Sequence, residues 1–373
     1  MDKIIDWQTG KYSEAELERM LSELLKEIKA ADEDSKNRAK YRWDHVAKPL
    51  HSLGILEEDI IQIAGITGCS DLSLDKKALV VMCADNGIVA EGVTQTGQEV
   101  TAAVTANMTR GDSCVCIMAE QADVDVFPVD IGVACDIGPV GNRHPLINRN
   151  IRRGTRNFLK EPSMTRRETL EAILTGISLV EELKEKHYKI IATGEMGIGN
   201  TTTSSAVAAV LMNMEPERVT GKGAGLSHAG LERKLGVIKE GIHARKPDPQ
   251  DGVDVLSKVG GLDIAGLTGI FLGGGIYHIP IVIDGFISAT AAVAAMTICP
   301  TSRDYMIAAH VSAEPAGEHL LCYLEKKPII RAEMCLGEGT GAVASLPLLE
   351  MAVSVYNRMS TFVELEIEDY KPL

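Results

Sequence analysis

Short apolar runs, each followed within a few residues by an acid, recur through the middle of the chain. The runs cover residues 78–84, 124–129, 188–192, 279–283 and 305–310. Continuous apolar runs of this length are typical of strands buried on both faces of a parallel sheet. Stretches with a helical spacing of apolar positions lie between them, for example residues 168–186 and 227–244. This alternation predicts an α/β fold of parallel strands joined by right-handed helical crossovers.

The acids that follow the runs are expected at one edge of the sheet, because parallel strands all end there and ligands of such sheets bind beyond these ends. They are Asp85, Asp130, Glu195, Asp284 and Glu314. Taken singly, each acid is more often a helix cap or a turn former than a catalytic group. Their convergence on one edge is the stronger signal, and it predicts a ligand site.

A glycine-rich loop follows the third run and reads GEMGIGNTTT over residues 194–203. Glycines and hydroxyls before a helix, here predicted at 204–212, present N–H donors and a positive dipole end to a phosphate. The candidate phosphate ligands are Gly197, Gly199, Asn200 and Thr201. The loop lacks the G-K-[ST] of a Walker motif, and Thr202 replaces the third glycine of the dinucleotide fingerprint. One nucleotide is therefore favoured over a dinucleotide, with a plain strand-to-helix turn as the alternative.

A second glycine-rich segment, residues 221–225, precedes a helix that carries Lys234. Its lysines are the basic groups that a phosphate would need in an otherwise acidic protein. Taken singly, each is more often a solvated surface charge.

A further glycine loop, LGEGTGA at 336–342, holds the single acid Glu338 between Gly337 and Gly339. Glycines on both sides let the backbone turn tightly and approach a ligand closely. An apolar run of helical spacing follows at 342–355, so Glu338 would project near a helix N-terminus. This arrangement suits a carboxylate that contacts a small ligand, and a simple helix-capping acid is an equal alternative.

Residues 13–50 are charged and have a helical pattern. Ser13 and Glu16 form a predicted capping box. An apolar stripe follows at Leu17, Leu21, Leu24, Leu25 and Ile28. The stripe predicts a long amphipathic packing helix, and this helix also offers a surface for dimerisation.

Composition narrows the function classes. A chain of 373 residues is long enough for two domains, and its net charge of −14 argues against a nucleic-acid surface. Its eight cysteines form no C-x-x-C pair and lie mostly in apolar runs, as expected of reduced thiols in the cytoplasm. Neither a signal peptide nor an apolar run long enough to cross a membrane is recognised. Metalloprotease, triad-hydrolase and EF-hand motifs are missing, so we expect no metal and no cofactor.

Several motifs in the same order resemble those of the nicotinate-nucleotide–dimethylbenzimidazole phosphoribosyltransferase family, over nearly the whole chain. They are KPLHSLG (48–54), ADNGIVAEGV (84–93), QEVT (98–101), GEMGIGNTT (194–202), GGLDIA (260–265), DGFI (284–287), SAEP (312–315) and LGEGTG (336–341). Residues 316–319, which read AGEH, carry extra residues relative to the E-P-G-H that is usual in the family. They border the predicted site, so this departure bears on which acceptor base is used.

The resemblance implies a large Rossmann-like domain at 66–346, a small helical domain built from 1–65 and 347–373, and a homodimer. It implies that Glu338 is the general base and that Glu195, Gly197 and Lys234 hold the phosphate and ribose of nicotinate mononucleotide. Thr94 and Gln98 would line the pocket for the acceptor base. Asp284, Gly337 and Gly339 are further candidates for binding the substrate.

The implied reaction transfers phosphoribosyl to a benzimidazole-type base such as 5,6-dimethylbenzimidazole and needs one carboxylate base. A positioned Glu195 would stabilise the oxocarbenium-like transition state. Two alternatives stay open. The acceptor could be adenine or a phenolic ring, or the chain could be a nucleotide-binding regulator without catalysis.

Overall fold

The computed structural model describes residues 10–223, 225–368 and 370. Its centre is a six-stranded sheet with the order β3-β2-β1-β4-β5-β6, in which every neighbouring pair is parallel. The strands are β1 Lys77–Ala84, β2 Val124–Gly132, β3 Ile147–Asn148, β4 Ile190–Met196, β5 Ile281–Ile283 and β6 Met306–Ala308. All five predicted strands are confirmed, and the order is that of a Rossmann fold. The added strand β3 has two residues, too few to produce an apolar run.

Helices connect the strands and cover both faces of the sheet. They are α1 Glu14–Leu25, α2 Glu33–His45, α3 Ile55–Thr67, α4 Glu99–Arg110, α5 Cys114–Gln121, α6 Arg166–Glu185, α7 Asn200–Leu211, α8 Pro216–Val219, α9 His228–Arg245, α10 Gly252–Val259, α11 Leu262–Tyr277, α12 Phe286–Ile298, α13 Gly317–Tyr323 and α14 Thr340–Arg358. Two 3₁₀ turns, Gly87–Glu91 and Pro300–Tyr305, complete the order.

The side chains of β1 alternate between two apolar layers, because successive residues of a strand point to opposite faces. Val80 and Met82 belong to the layer formed with α6, α11 and α12. Leu79 and Val81 belong to the layer formed with α3, α5 and α14. Both faces of the strand are therefore buried, which explains why its sequence is a continuous apolar run and does not alternate with polar residues.

The N-terminal region differs from the prediction of one long helix. It forms α1 and α2, and α1 ends at Leu25. The capping box is confirmed, since the Ser13 backbone N–H donates to Glu16 Oε2 at 2.8 Å. Leu17, Leu21, Leu24 and Ile28 are buried in the chain's own core. The apolar stripe is therefore covered by the chain's own core, and a dimer contact through this helix stays a prediction.

The two proposed domains share an apolar layer. Trp43 of α2 and Ile60 of α3 pack in the same cluster as Leu79 of the sheet and Leu346 of α14. Helix α14 runs continuously from Thr340 to Arg358, so the boundary drawn at residue 347 falls inside it. The division into domains stays a prediction, and residues 1–9, 369 and 371–373 of the small domain lie outside the described part of the chain.

Among the helices that the structure describes, none combines the length and apolar character needed to cross a bilayer.

Candidate active site

A cavity of about 250 Å³ opens beyond the carboxyl ends of β4, β5 and β6. Its polar lining includes Glu195, Asn200, Thr201, Asp284, His310, Ser312, Glu314 and Glu338. The strand order reverses between β1 and β4, and ligands of such sheets bind near that point. The cavity therefore lies where the topology predicts a ligand, on the β4 side of the reversal.

Three of the five acids at the edge of the sheet, Glu195, Asp284 and Glu314, line this cavity. Asp85 directly follows β1 and Asp130 lies near the end of β2, but neither lines the cavity. The Ala134 N–H donates to Asp85 Oδ2 at 2.8 Å, and Asp130 Oδ1 accepts from the Val133 N–H and from Asn150 Nδ2, both at 2.9 Å. All five acids lie at this edge of the sheet, as expected, but these two are bound by other residues and do not contribute to the cavity.

The glycine loop joins β4 directly to α7. Helix α7 begins at Asn200, earlier than predicted, so Asn200 and Thr201 form its first turn, and Gly199 is its N-cap with φ of 94°. A Cβ on Gly197 would lie 2.2 Å from the Ala84 carbonyl oxygen, so this close backbone approach requires glycine. Asn200 Nδ2 donates to Glu195 Oε2 and ties the loop to the acid that precedes it.

Lys234 reaches the same loop from α9. Its Nζ donates to Thr201 Oγ1 at 2.9 Å and to the Gly221 carbonyl oxygen at 3.2 Å, and the side chain is buried. These contacts use two of the three N–H donors of an ammonium group. Burial lowers the pKa of Lys234 to about 8, and the nearby Glu314 opposes this shift. The sequence-based pairing of Lys234 with the glycine loop is thus observed in the structure.

Glu338 lies half-buried in the cavity wall, on a loop where Gly337, Glu338 and Gly339 all have positive φ. Its Oε2 accepts a hydrogen bond from the Val115 N–H at 3.3 Å. The side chain therefore faces the N-terminus of α5, whereas the sequence suggested the helix that follows it. Burial raises the pKa of Glu338, and hydrogen bonds from Val115 and Ser113 oppose the rise.

Glu195 is almost fully buried among other carboxyl groups. Burial raises its pKa to about 8, with further contributions from Asp263 and Asp284, while the hydrogen bond from Asn200 opposes the rise. Burial also raises the pKa of Asp263, to about 7. Burial and the neighbouring carboxyl groups therefore favour the neutral form of Glu195.

Sequence reasoning assigned no role to Asp263 or His310. Asp263 lies in the first turn of α11, and a Cβ on Gly197 would come within 2.8 Å of its Oδ2. His310 lines the cavity, with its Nε2 3.9 Å from Asp284 Oδ1. Two sequence features could have pointed to them. Asp263 is an acid shortly after the glycine pair 260–261, and His310 is the polar residue that ends the apolar run 305–310.

Thr94 and Gln98 do not contribute to the lining of this cavity. Thr94 Oγ1 donates to the Thr96 carbonyl oxygen at 2.8 Å. Gln98 Nε2 donates to the Asn86 carbonyl oxygen at 3.4 Å, and Asn86 in turn lies against Gly199. Gln98 is thus one residue removed from the glycine loop, and a role of either side chain in binding the acceptor stays a prediction.

Within the described residues, no group of three or more His, Cys, Asp or Glu side chains is arranged to hold a metal ion. Fold and site together define an α/β protein in which a glycine loop before a helix N-terminus, a buried lysine and several carboxyl groups surround one cavity.

Comparison with known proteins identifies the family. Residues 28–367 match a family described as Phosphoribosyltransferase. The chain is 48% identical over 351 residues to a nicotinate-nucleotide–dimethylbenzimidazole phosphoribosyltransferase of Ruminiclostridium cellulolyticum, covering 94% of this chain and 99% of the relative. It is 46% identical over 353 residues to a protein of the same name from Clostridium acetobutylicum, covering 95% and 99%.

The crystal structure of CobT from Thermus thermophilus superposes with a TM-score of 0.85 at 36% identity, covering 90% of this chain and 99% of that one. The chain belongs to the nicotinate-nucleotide–dimethylbenzimidazole phosphoribosyltransferase family, as its motifs indicated. It is therefore a pentosyltransferase.

Proposed function

We propose that the protein transfers the phosphoribosyl group of nicotinate mononucleotide to 5,6-dimethylbenzimidazole or a related base, in assembly of the lower ligand of cobalamin. The products are nicotinate and the α-ribosyl 5′-phosphate nucleotide. One observation carries the proposal for this chain: the carboxylate of Glu338 and the loop of Asn200 and Thr201 line the same cavity. A base and an anion site thus lie within one small-molecule pocket.

The nucleotide phosphate binds at the N-terminus of α7. The positive end of the helix dipole favours an anion there, while the Asn200 and Thr202 N–H groups donate to the Gly197 and Gly199 carbonyl oxygens. Lys234 already contacts Thr201 Oγ1, so its ammonium adds a full positive charge beside the same turn. Gly197, Gly199 and Gly337 keep side-chain atoms out of this side of the cavity, where the ribose lies.

The reaction is a single displacement at C1′ of the ribose. The bond from C1′ to the pyridinium nitrogen breaks, and its electron pair stays on nicotinate, so the leaving group needs no proton. One ring nitrogen of the acceptor forms the new bond to C1′, and its other nitrogen loses a proton. Attack from the opposite face converts the β-linked nucleotide to the α-linked product, without a covalent enzyme intermediate.

Glu338 accepts that proton. The Val115 N–H orients its carboxylate, and partial burial raises its pKa, which makes it a stronger base than a solvated glutamate. Because the base form is the ionised one, turnover should fall when the pH is lowered through this pKa.

Glu195 stabilises the positive charge that develops on the ribose. Burial and the surrounding carboxyl groups raise its pKa to about 8. The pyridinium of the bound substrate and the oxocarbenium character of the transition state favour the ionised carboxylate, because an opposite charge lowers a carboxyl pKa. Glu195 is therefore most effective when substrate is bound.

We further propose that the protein acts as a homodimer in the cytoplasm. Family membership supports the dimer, and eight cysteines that form no disulfide support a reducing compartment. Light scattering of the purified protein tests the dimer, since a monomeric mass at micromolar concentration would contradict it.

A panel of acceptors tests the reaction. Purified protein is incubated with nicotinate mononucleotide and either 5,6-dimethylbenzimidazole, adenine or a phenol, and free nicotinate is measured. We expect release with the benzimidazole. If nicotinate is released only with adenine or only with a phenol, that compound is the acceptor and the benzimidazole is not. If no base releases nicotinate, a non-catalytic nucleotide-binding protein is favoured.

Glu338→Gln tests the base. We expect it to lower turnover by roughly 10²–10⁴-fold with nearly unchanged nucleotide binding. The matched control is Glu333→Gln, which alters an exposed glutamate five residues away in the same segment. Normal turnover in Glu338→Gln would remove this residue from the catalytic role.

A further inference from the structure

Helix α14 begins immediately after the Glu338 loop, and it has no cap of its own. Its N-cap is Gly339, which makes no side-chain hydrogen bond. The first N–H groups of a helix have no partner within the helix, and buried ones need an acceptor from elsewhere. The Thr340 N–H donates to the Gly337 carbonyl oxygen at 3.0 Å. Gly341 and Ala342 are buried, so their N–H groups need an acceptor from another part of the chain.

Asp284 supplies this acceptor from a different part of the chain. It follows β5, is 3% exposed, and accepts a hydrogen bond from the Ala342 N–H at 2.9 Å. Burial raises the pKa of Asp284, and His310 together with the N–H groups of Ala342, Gly341 and Gly339 opposes the rise. The carboxylate is thus directed at the first turn of α14, which is the usual place for a helix-capping acid.

The loop in front of α14 needs such a constraint. Gly337, Glu338 and Gly339 have φ values of 88°, 61° and 93°. Glutamate rarely adopts a left-handed conformation, and such a conformation persists where the surroundings hold it. A Cβ on Gly194 would lie 2.4 Å from the Glu338 carbonyl oxygen, so strand β4 holds one side of the loop.

The structure assigns Asp284 as a positioning residue for Glu338: by binding the first turn of α14 it holds the loop that directs the Glu338 carboxylate into the cavity. This assignment rests on the proposed role of Glu338 as the base. It differs from the sequence-based expectation that Asp284 binds substrate. His310 supports the same arrangement, because a Cβ on Gly341 would lie 1.8 Å from its Cδ2, so its ring packs against the start of the helix.

The two roles of Asp284 predict different kinetics. A positioning residue acts through Glu338, so its loss should lower kcat, leave the KM for nicotinate mononucleotide within about twofold, and have no effect once Glu338 is already replaced. A residue that binds the ribose should raise KM, and its effect should persist in the Glu338→Gln background.

The experiment compares Asp284→Ala, Asp284→Asn, Glu338→Gln and the double variants. We expect kcat to fall roughly 10- to 100-fold in Asp284→Ala, the loss typical of a small misplacement of a catalytic group. Asparagine keeps an oxygen acceptor for the Ala342 N–H, so Asp284→Asn should recover most of the loss. Each double variant should match Glu338→Gln. Additive losses, or a raised KM, would overturn the assignment.

Hydrogen exchange gives a readout that does not depend on turnover. The amides of Gly341 and Ala342 should exchange faster in both Asp284 variants than in the wild type, and unchanged exchange would contradict the assignment. If Asp284→Ala does not fold, Asp284→Asn carries the test with a smaller effect in the same direction. Full activity of Glu338→Gln would refute the proposed base, whereas an inactive Glu338→Gln with additive Asp284 effects would refute the positioning role alone.

Discussion

The two halves of the sheet's carboxyl edge look alike in sequence and differ in structure. At the β1–β2 half, Asp85 and Asp130 accept from backbone N–H groups of the segment after β2 and do not line the cavity. At the β4–β6 half, Glu195, Asp284 and Glu314 line the cavity, although Asp284 also accepts from the Ala342 N–H. Both halves show an apolar strand followed by an acid, so this pattern alone does not separate a structural carboxylate from a functional one.

The difference lies in what surrounds each acid. Turns at the β1–β2 half fold back over the strand ends and provide donors. At the other half, Gly197 and Gly339 bring their loops close to the strands, since a Cβ there would lie 2.2 Å from the Ala84 carbonyl oxygen and 2.5 Å from Leu79 Cδ1, respectively. A Cβ on Gly337 would come within 2.5 Å of Glu195 Oε1. The absence of a side chain at Gly337 therefore leaves space beside Glu195 at the β4–β6 half of the edge.

The largest effect should come from Glu195→Gln. Removing the carboxylate that stabilises developing positive charge should lower kcat by roughly 10²–10³-fold, as for other preorganised electrostatic contacts. Steady-state assays with saturating nucleotide measure it. Asp130→Asn makes the same acid-to-amide change at the other half and should leave kcat unchanged. Equal losses in both variants would remove the distinction between the halves.

Lys234→Met should mainly weaken nucleotide binding. Loss of a charged hydrogen bond of about 1.5–3 kcal/mol corresponds to roughly a 10- to 150-fold higher Kd. Calorimetric titration with nicotinate mononucleotide measures it, and Lys239→Met, which alters an exposed lysine on the same helix, is the control. The charged form of Lys234 predominates below its pKa of about 8, so wild-type affinity should fall as the pH rises through 8. Lys234→Met should lose that dependence, and a retained fall would implicate another group.

Asp85→Ala should affect stability and leave the chemistry intact. Its removal leaves the Ala134 N–H without its acceptor, and a buried unsatisfied donor costs about 1–3 kcal/mol in the free energy of unfolding. Denaturant unfolding measures the loss, and kcat per folded molecule should stay at the wild-type value. A lower kcat with unchanged stability would place Asp85 among the functional acids.

Much of the fold and part of the site follow from sequence alone. The five strands were predictable because buried parallel strands are continuous apolar runs, and the glycine loops because few other residues permit such close approach or positive φ. Glu338 was predictable as the single acid within such a loop. The break between α1 and α2 was not predictable, because the residues on both sides of it have a helical pattern.

The remaining features depend on contacts between distant segments. Asp263 lies beside Gly197, 66 residues earlier in the chain, and Asp284 binds the start of a helix 58 residues later. Glu338 faces α5, which lies more than two hundred residues before it. No local periodicity encodes such pairs, and the same is true of the Ala134 N–H that binds Asp85, 49 residues earlier.

The smallest predicted effect is on the pH dependence of the free energy of unfolding. Burial raises the pKa of Glu195 to about 8 and that of Asp263 to about 7, well above their usual values. Between those usual values and about pH 8 the folded state binds more protons than the unfolded state, so the free energy of unfolding should fall as the pH rises. One proton corresponds to at most about 1.4 kcal/mol per pH unit, and we expect a fall of about 1 kcal/mol from Glu195 between pH 7 and pH 8.

Denaturant unfolding at both pH values should show this fall in the wild type and in the exposed control Glu333→Gln, and a much smaller one in Glu195→Gln. An equal fall in all three proteins would mean that Glu195 is already ionised at pH 7 before substrate binds.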